Sequence, residues 1–252
     1  MRRSTGFKAL IAMVAVATGL AGCSPSTSSS DSDLEMTIMG ASSTRVVNDE
    51  LDNQVEASLE FVNAGSSTLV QQLADGAYAD VLITADRQTM DRAVSEGSAA
   101  DPELVATNSM VMVVPAGNPA GIESIEDLND EATVVLCDPQ IPCGGVSTQL
   151  MEANNIEINA DSLEHAVADV LGKVTSGEAD AGWVYKSDAV AAGDEVEIIE
   201  IPHAQEYPNE LLAAVTTISE NEAEAQEIVD LLAGAEFAEQ WRTAGFTPAS
   251  ES

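Results

Sequence analysis

Four short stretches of this chain set small hydroxyl residues or glycines at the start of a helix. The most explicit is Asn63-Ala64-Gly65-Ser66-Ser67-Thr68-Leu69. It follows an alternating apolar run over 55–62 that reads as a strand. Behind it Leu69, Val70, Leu73 and Ala74 fall on one helical face. The first N–H groups of a helix lack internal partners and carry partial positive charge. With Ser hydroxyls beside them they can hold an anion without Lys or Arg. Ser and Thr at such places also serve as plain helix caps, so the case for chemistry rests on recurrence. Ala41-Ser42-Ser43-Thr44 follows an apolar run over 36–40. Asp138-Pro139-Gln140-Ile141-Pro142-Cys143-Gly144-Gly145 follows a buried run over 133–137 and precedes a predicted helix over 146–153. The fourth start, 162–167, opens a predicted helix over 162–176 whose Leu163, Ala166, Val167, Val170, Leu171 and Val174 form one stripe.

Other chemistries find too few residues. His165 and His203 are the two histidines, and no Gly-x-Ser-x-Gly elbow is present. A serine nucleophile would have no evident base, so the chain reads as a binder and not an enzyme. No His or further Cys stands at zinc spacing from Cys137 and Cys143. Those two read as a disulfide in an oxidising compartment or as two buried thiols. Asp80, Asp86, Asp138 and Asp188 lie near the turns. They read as helix caps or ties at sheet ends, or as acceptors for an anion that carries a proton.

The elements that must position these turns alternate. Strands over 36–40, 55–62, 80–85 and 133–137 are each followed by a helix, which means βαβ units and mainly parallel sheets. A long apolar strand over 109–114 ends at Pro115-Ala116-Gly117-Asn118-Pro119, a change of direction. A second crossing is expected near 206–216. The pattern is α/β, with two lobes joined by two crossing strands and a cleft between them. One lobe is discontinuous, 34–112 with 210–252, and the other is 113–209. Ligands of such sheets bind outside the carboxyl ends of strands, where the four turns would fall.

Arg2, Arg3 and Lys8 precede an apolar segment over 9–20, which reads as a secretory leader. It ends in Leu20-Ala21-Gly22-Cys23, which resembles the bacterial lipobox. The resemblance implies removal of 1–22 and lipid on Cys23. Residues 23–33 then read as a Ser-rich tether, holding the domain on the outer face of the cytoplasmic membrane.

Taken together, the turns resemble those of periplasmic molybdate-binding proteins of ABC importers, which have the type II solute-binding fold. The carrying motifs are Gly40-Ala41-Ser42-Ser43-Thr44, Gly65-Ser66-Ser67-Thr68-Leu69, Ala79-Asp80-Val81-Leu82-Ile83-Thr84-Ala85-Asp86, Asp138-Pro139-Gln140-Ile141-Pro142-Cys143-Gly144 and Gly182-Trp183-Val184-Tyr185-Lys186-Ser187-Asp188-Ala189. The resemblance implies a ligand set of Ser42 and Ser66 from one lobe. From the other it implies the backbone N–H groups of Cys143 and Val167 and the hydroxyl of Tyr185. It implies molybdate or tungstate as ligand, no cofactor, an ABC permease as partner and a monomer that meets the membrane only through its lipid. The chain departs from the family pattern at Ser43, where Leu is common, and at Cys137 and Cys143, where Gly and Ala are common. Its Asp-Pro loop is one residue shorter. Tetrahedral oxyanions without a proton want donors only, which this set supplies. Sulfate, and then phosphate, are the alternatives within the same fold and role. Ferric binders of this fold use Tyr clusters, which Tyr78, Tyr185 and Tyr207 do not supply.

The chain carries 9 basic and 43 acidic residues, a formal charge of −34. Such a surface argues against nucleic acid and anionic lipid as partners. A buried anion is still compatible with it, because charges beyond about 8 Å are largely screened at physiological salt. The near absence of Lys points to a salt-adapted surface. The expected outcome is higher stability in molar salt than in dilute buffer, read by urea unfolding, and equal stability in both would overturn this reading.

Overall fold

The computed structural model describes residues 34–128 and 131–251. The expected leader 1–22 and the whole expected tether 23–33, with Cys23, lie outside the described residues. The elements in chain order begin with β1 (Glu35–Ala41), a 3-10 turn (Ser42–Val47), α1 (Asn48–Gln54), β2 (Ser58–Ala64), α2 (Ser66–Ala74), β3 (Val81–Thr84) and α3 (Arg87–Ser95). Then come β4 (Ala99–Asn108), β5 (Met110–Pro115), β6 (Val134–Cys137), α4 (Pro142–Ala153), β7 (Ser162–Glu164), α5 (Val167–Thr175), β8 (Ala181–Tyr185) and α6 (Lys186–Ala192). The chain closes with β9 (Val196–Glu200), β10 (Asn209–Thr216), α7 (Glu222–Ala233), α8 (Ala238–Thr243) and β11 (Thr247–Pro248).

Among these residues the strands form two sheets, in the orders β11-β4-β10-β3-β1-β2 and β7-β6-β8-β5-β9. Both are mixed, where mainly parallel sheets were expected. Strands β1, β2 and β3 pair in parallel, as do β6, β7 and β8. The crossing strands supply the antiparallel pairs. β10 lies against β3 and β4, and β5 against β8 and β9. The sheets exchange at Ser109, ahead of the expected boundary after Met112, because Met110 already pairs with Tyr185.

Alternation along the strands builds the core. Ile38, Ile83 and Ala213 face one side of the first sheet, against Leu51, Ile228, Val229 and Trp241. Their neighbours Met39, Leu82 and Leu212 face the other, against Leu69, Leu73 and Met90. That two-residue period is what a strand buried on both faces requires. Trp241 stacks edge-on with Phe237 and Phe246 and donates to the Leu232 carbonyl at 2.9 Å. β6 and β8 anchor a single core on the second sheet, around Val135, Trp183, Val113 and Val170.

Two expectations change. The helix predicted over 162–176 is a strand followed by a helix. Ser162–Glu164 pairs with the buried β6, and Leu163, counted into the apolar stripe, is exposed. His165 therefore lies between elements and not in a helix start. The helix after the Asp-Pro loop begins earlier than predicted, at Pro142, whose fixed φ and missing N–H suit the first helical position.

Carboxylates tie the amino edges of both sheets. Asp80 is fully buried and accepts from Thr37 N–H at 2.9 Å, Tyr78 at 2.7 Å, Ser219 at 2.7 Å and Asn221 at 3.2 Å. Asp180 and Asp161 take the N–H groups of Thr133 and Val134. Burial pushes the Asp80 carboxyl up, but the hydrogen bonds from Ser219, Thr37, Tyr78 and Asn221 outweigh it and hold it below its ordinary 3.8. Asp80→Asn puts an amide donor among these donors, and a loss of about 3 kcal/mol at pH 7 is expected in urea unfolding. The folded pKa is depressed, so this contribution is full above the unfolded pKa and disappears as pH falls through the folded value. The gap between wild type and variant should therefore close in acid.

Candidate functional site

The parallel strands aim their carboxyl ends the same way. β1, β2 and β3 end at Ala41, Ala64 and Thr84, and there the 3-10 turn, α2 and α3 begin. In α2 the first bonds run from Thr68 and Leu69 to the Gly65 carbonyl. Ser66 and Ser67 thus keep the unpaired N–H groups of a helix start. The Ser66 hydroxyl oxygen accepts from Ala85 N–H at 3.0 Å, which leaves its own proton to donate. The turn at Ser42 is shaped by close backbone approach. Thr44 donates to the Ala41 carbonyl at 2.8 Å, and Asn63 donates to Gly40 at 3.2 Å. A Cβ on Gly40 would stand 2.7 Å from Thr44 Oγ1, so only glycine fits.

The second sheet repeats the arrangement at the ends of β6, β7 and β8. The bond from Gly145 N–H to the Ile141 carbonyl opens α4, which leaves the N–H groups of Cys143 and Gly144 free. Bonds from Asp169 and Val170 to Ala166 open α5 and leave those of Val167 and Ala168 free. Cys137 and Cys143 are joined as a disulfide, Cα to Cα 5.8 Å, which clamps the end of β6 to the first turn of α4. A Cβ on Gly144 would fall 2.0 Å from the Asp138 carbonyl, so glycine is required there too.

Between these edges lies a cleft of about 330 Å³. Ser42, Ser43 and Ala85 form one wall, and Tyr185, Ser187 and Asp188 the other. Asn108 and Asn209 close it where the chain crosses between sheets. Asn108 donates to Ser187 Oγ at 2.8 Å, and Ser109 donates to Gln205 at 3.0 Å, so the crossing is held by side chains from both sides. Of the expected ligand set, Ser42 and Tyr185 line this cleft. Ser66 reaches it through Ala85. Cys143 and Val167 stand at helix starts along the same edge as Tyr185 but do not line it. Asn108, Asn209 and the cleft-facing position of Asp188 were not singled out from sequence. An Asn at a strand end beside the first crossing would have been the signal for Asn108.

The electrostatics are unusual for an anion site. The Tyr185 hydroxyl is buried and makes no hydrogen bond of ordinary geometry. Burial pushes it up to about 12, against the pull of nearby Asn209. Asp188 is pushed up to about 6, again by burial, against the pull of the Tyr185 backbone N–H. The nearby cations are engaged: Arg87 with Glu210 at 2.5 Å and Lys186 with Glu200 at 2.8 Å. Among the described residues no group of His, Cys, Asp and Glu could hold a metal ion. His165 is exposed, and His203 pairs with Glu206 at 2.7 Å. The arrangement offers hydroxyls, amides and free N–H groups, which is chemistry for holding an anion.

Two mixed α/β sheets joined by two crossings, with helix starts facing a cleft between them, define the two-lobed solute-binding proteins. The chain belongs to the bacterial extracellular solute-binding protein family, whose model matches residues 39–247. It is 40% identical over 180 residues to the molybdate-binding protein ModA of Mycobacterium tuberculosis, covering 71% of this chain and 69% of that one. It is 27% identical over 242 residues to YvgL of Bacillus subtilis, a putative ABC transporter substrate-binding lipoprotein, covering 90% and 93%. In structure it is similar to the substrate-binding domain of a putative molybdenum ABC transporter from Clostridium difficile, at a TM-score of 0.76, 20% identity and coverage of 85% and 99%.

The disulfide encloses a short loop, and its removal is expected to cost about 2 kcal/mol by loop entropy. Cys137→Ser combined with Cys143→Ser should show that loss in urea unfolding. Reductant should lower the melting temperature of the wild type and leave the double variant unmoved.

Proposed function

We propose that this protein is the lipid-anchored extracytoplasmic receptor of an ABC importer, capturing molybdate, and tungstate with it, and handing the anion to the permease. Ser42, Ser66 and Tyr185 give hydroxyl protons, and Cys143 and Val167 give backbone N–H groups. The observation that carries the reading is the buried Tyr185 hydroxyl, unpartnered in a cleft that Ser42 and Ser43 also line. Leaving such a donor unmet costs about 1–3 kcal/mol, and a tetrahedral anion without a proton meets it. Closure about the two crossings would carry Cys143 and Val167 onto the anion, the hinge motion such lobes allow. The 40% identity to a molybdate-binding protein supports the choice of ligand. The likeness to a lipoprotein relative supports the anchor at Cys23. A second reading, an oxyanion that keeps a proton, draws on Asp188 in the cleft.

Thermal unfolding of the purified protein, titrated with molybdate, tungstate, sulfate and phosphate, tests the proposal. A ligand that binds only the folded state raises the melting temperature with log concentration above its dissociation constant. Shifts with molybdate and tungstate alone are expected. A shift with phosphate or sulfate instead would keep the transport role and replace the ligand. Tyr185→Phe and Ser66→Ala should each weaken molybdate binding by about tenfold or more, the worth of one hydrogen bond to a charged group.

A further inference from the structure

Asp188 is the member of the cleft that a donor-only site leaves unexplained. It stands in the first turn of α6 and lines the same cleft as Ser42, Ser43 and Tyr185. The other polar side chains there are hydroxyls and the amides of Asn108 and Asn209. An ionised carboxylate beside a bound dianion sets like charges together in a poorly hydrated space, which disfavours both.

No cation relieves this. On its own helix, Lys186 is held by Glu200. Across the crossing, Arg87 at the start of α3 is held by Glu210 at the start of β10. On the 3-10 turn, Arg45 is exposed and not part of the lining. On the turn before α3, Asp86 adds negative charge and is occupied by Thr89, accepting from its N–H at 2.7 Å and its hydroxyl at 2.8 Å. At the end of β8, Tyr185 is a neutral phenol throughout the physiological range. Burial by the protein alone raises the Asp188 carboxyl to about 6, against the Tyr185 backbone N–H.

We propose that Asp188 enters the anion site as a neutral acid, so that each dianion bound brings one proton from solvent onto its carboxyl. The inference rests on the reading that the cleft takes a tetrahedral oxyanion. Protonation gives Asp188 an O–H to donate, and every polar side chain of the lining then has a proton to offer the anion. It also separates ligand classes by their proton uptake. A dianion without a proton is bound with uptake from solvent. An anion that keeps its own proton, such as hydrogenphosphate, would need the ionised carboxylate as acceptor and would bind without uptake.

The sign follows from linkage. Above about pH 6 the free protein is ionised at Asp188 and must be protonated to bind. Apparent molybdate affinity should therefore fall by about tenfold per pH unit through the neutral range and level off in mild acid. Calorimetric titration with molybdate at pH 7.5, in buffers of different ionisation enthalpy, reads the uptake directly and needs no variant. Uptake approaching one proton per anion is expected. Asp188→Asn should abolish the uptake and flatten the pH profile while still binding molybdate, with its melting temperature confirming that it is folded. Tight molybdate binding without uptake, or an undiminished pH slope in Asp188→Asn, would overturn this inference alone. Failure to bind any of the four oxyanions would overturn the oxyanion reading, and this inference with it.

Discussion

The unpaired N–H groups at helix starts are the constraint on which this structure depends. Each helix leaves its first donors unmet, and the parallel strands bring several such starts to one edge of each sheet. In a chain with 43 acidic residues against 9 basic ones, attraction for an anion cannot come from spare cations. Arg87 and Lys186 are bound to Glu210 and Glu200, and Arg45 is exposed and outside the cleft lining. What remains is backbone dipole and neutral hydroxyl, which no surface charge composition removes.

The opposite edges show the complementary arrangement. Asp80, Asp161 and Asp180 each precede a strand and take the N–H of a neighbouring one. Carboxylates thus meet backbone donors at the amino edges, and donors without carboxylates are left at the carboxyl edges. Asp86 and Asp138 lie at the carboxyl edges too, but each is turned onto a backbone N–H of its own turn, Thr89 and Gln140. The sheets therefore carry an electrostatic polarity that local hydrogen bonding enforces. The fixed geometry of Gly40 and Gly144, with the disulfide at Cys137, keeps the donor edges from relaxing inward.

Much of this was legible because it is local. Ser42 and Ser66 follow apolar runs whose period announces a strand, and Asp86 stands where a helix cap must, as its bond to Thr89 shows. The rest depends on pairing between distant segments. β4 was missed because Asp101 and Pro102 interrupt it, and Pro cannot donate to a ladder. In the structure the interruption is absorbed where the register with β10 shifts, and Asp101 takes a positive φ of 45°. β7 was read as helix because its three residues acquire their identity only from β6. Asn209 carries no local signal, since its place in the cleft comes from the return crossing. The sequence leaves two readings of Cys137 and Cys143 open, and their pairing follows from the end of β6 lying beside the start of α4.

Asp188 departs from this polarity, because it lines the cleft and does not stand at an amino edge. Its single backbone donor, Tyr185 N–H, does not offset the cost of burial. A donor-built site can accommodate such a group in two ways. Either the ligand carries a proton for it, or it carries one for the ligand. The buried phenol of Tyr185 bears on the choice, since it too has a proton to give and no protein acceptor to receive it. Two protons aimed at one anion match four bare oxygens better than three oxygens and a hydroxyl. With no lysine or arginine in the lining, the neutral form of this carboxyl is the one that suits an anion without a proton.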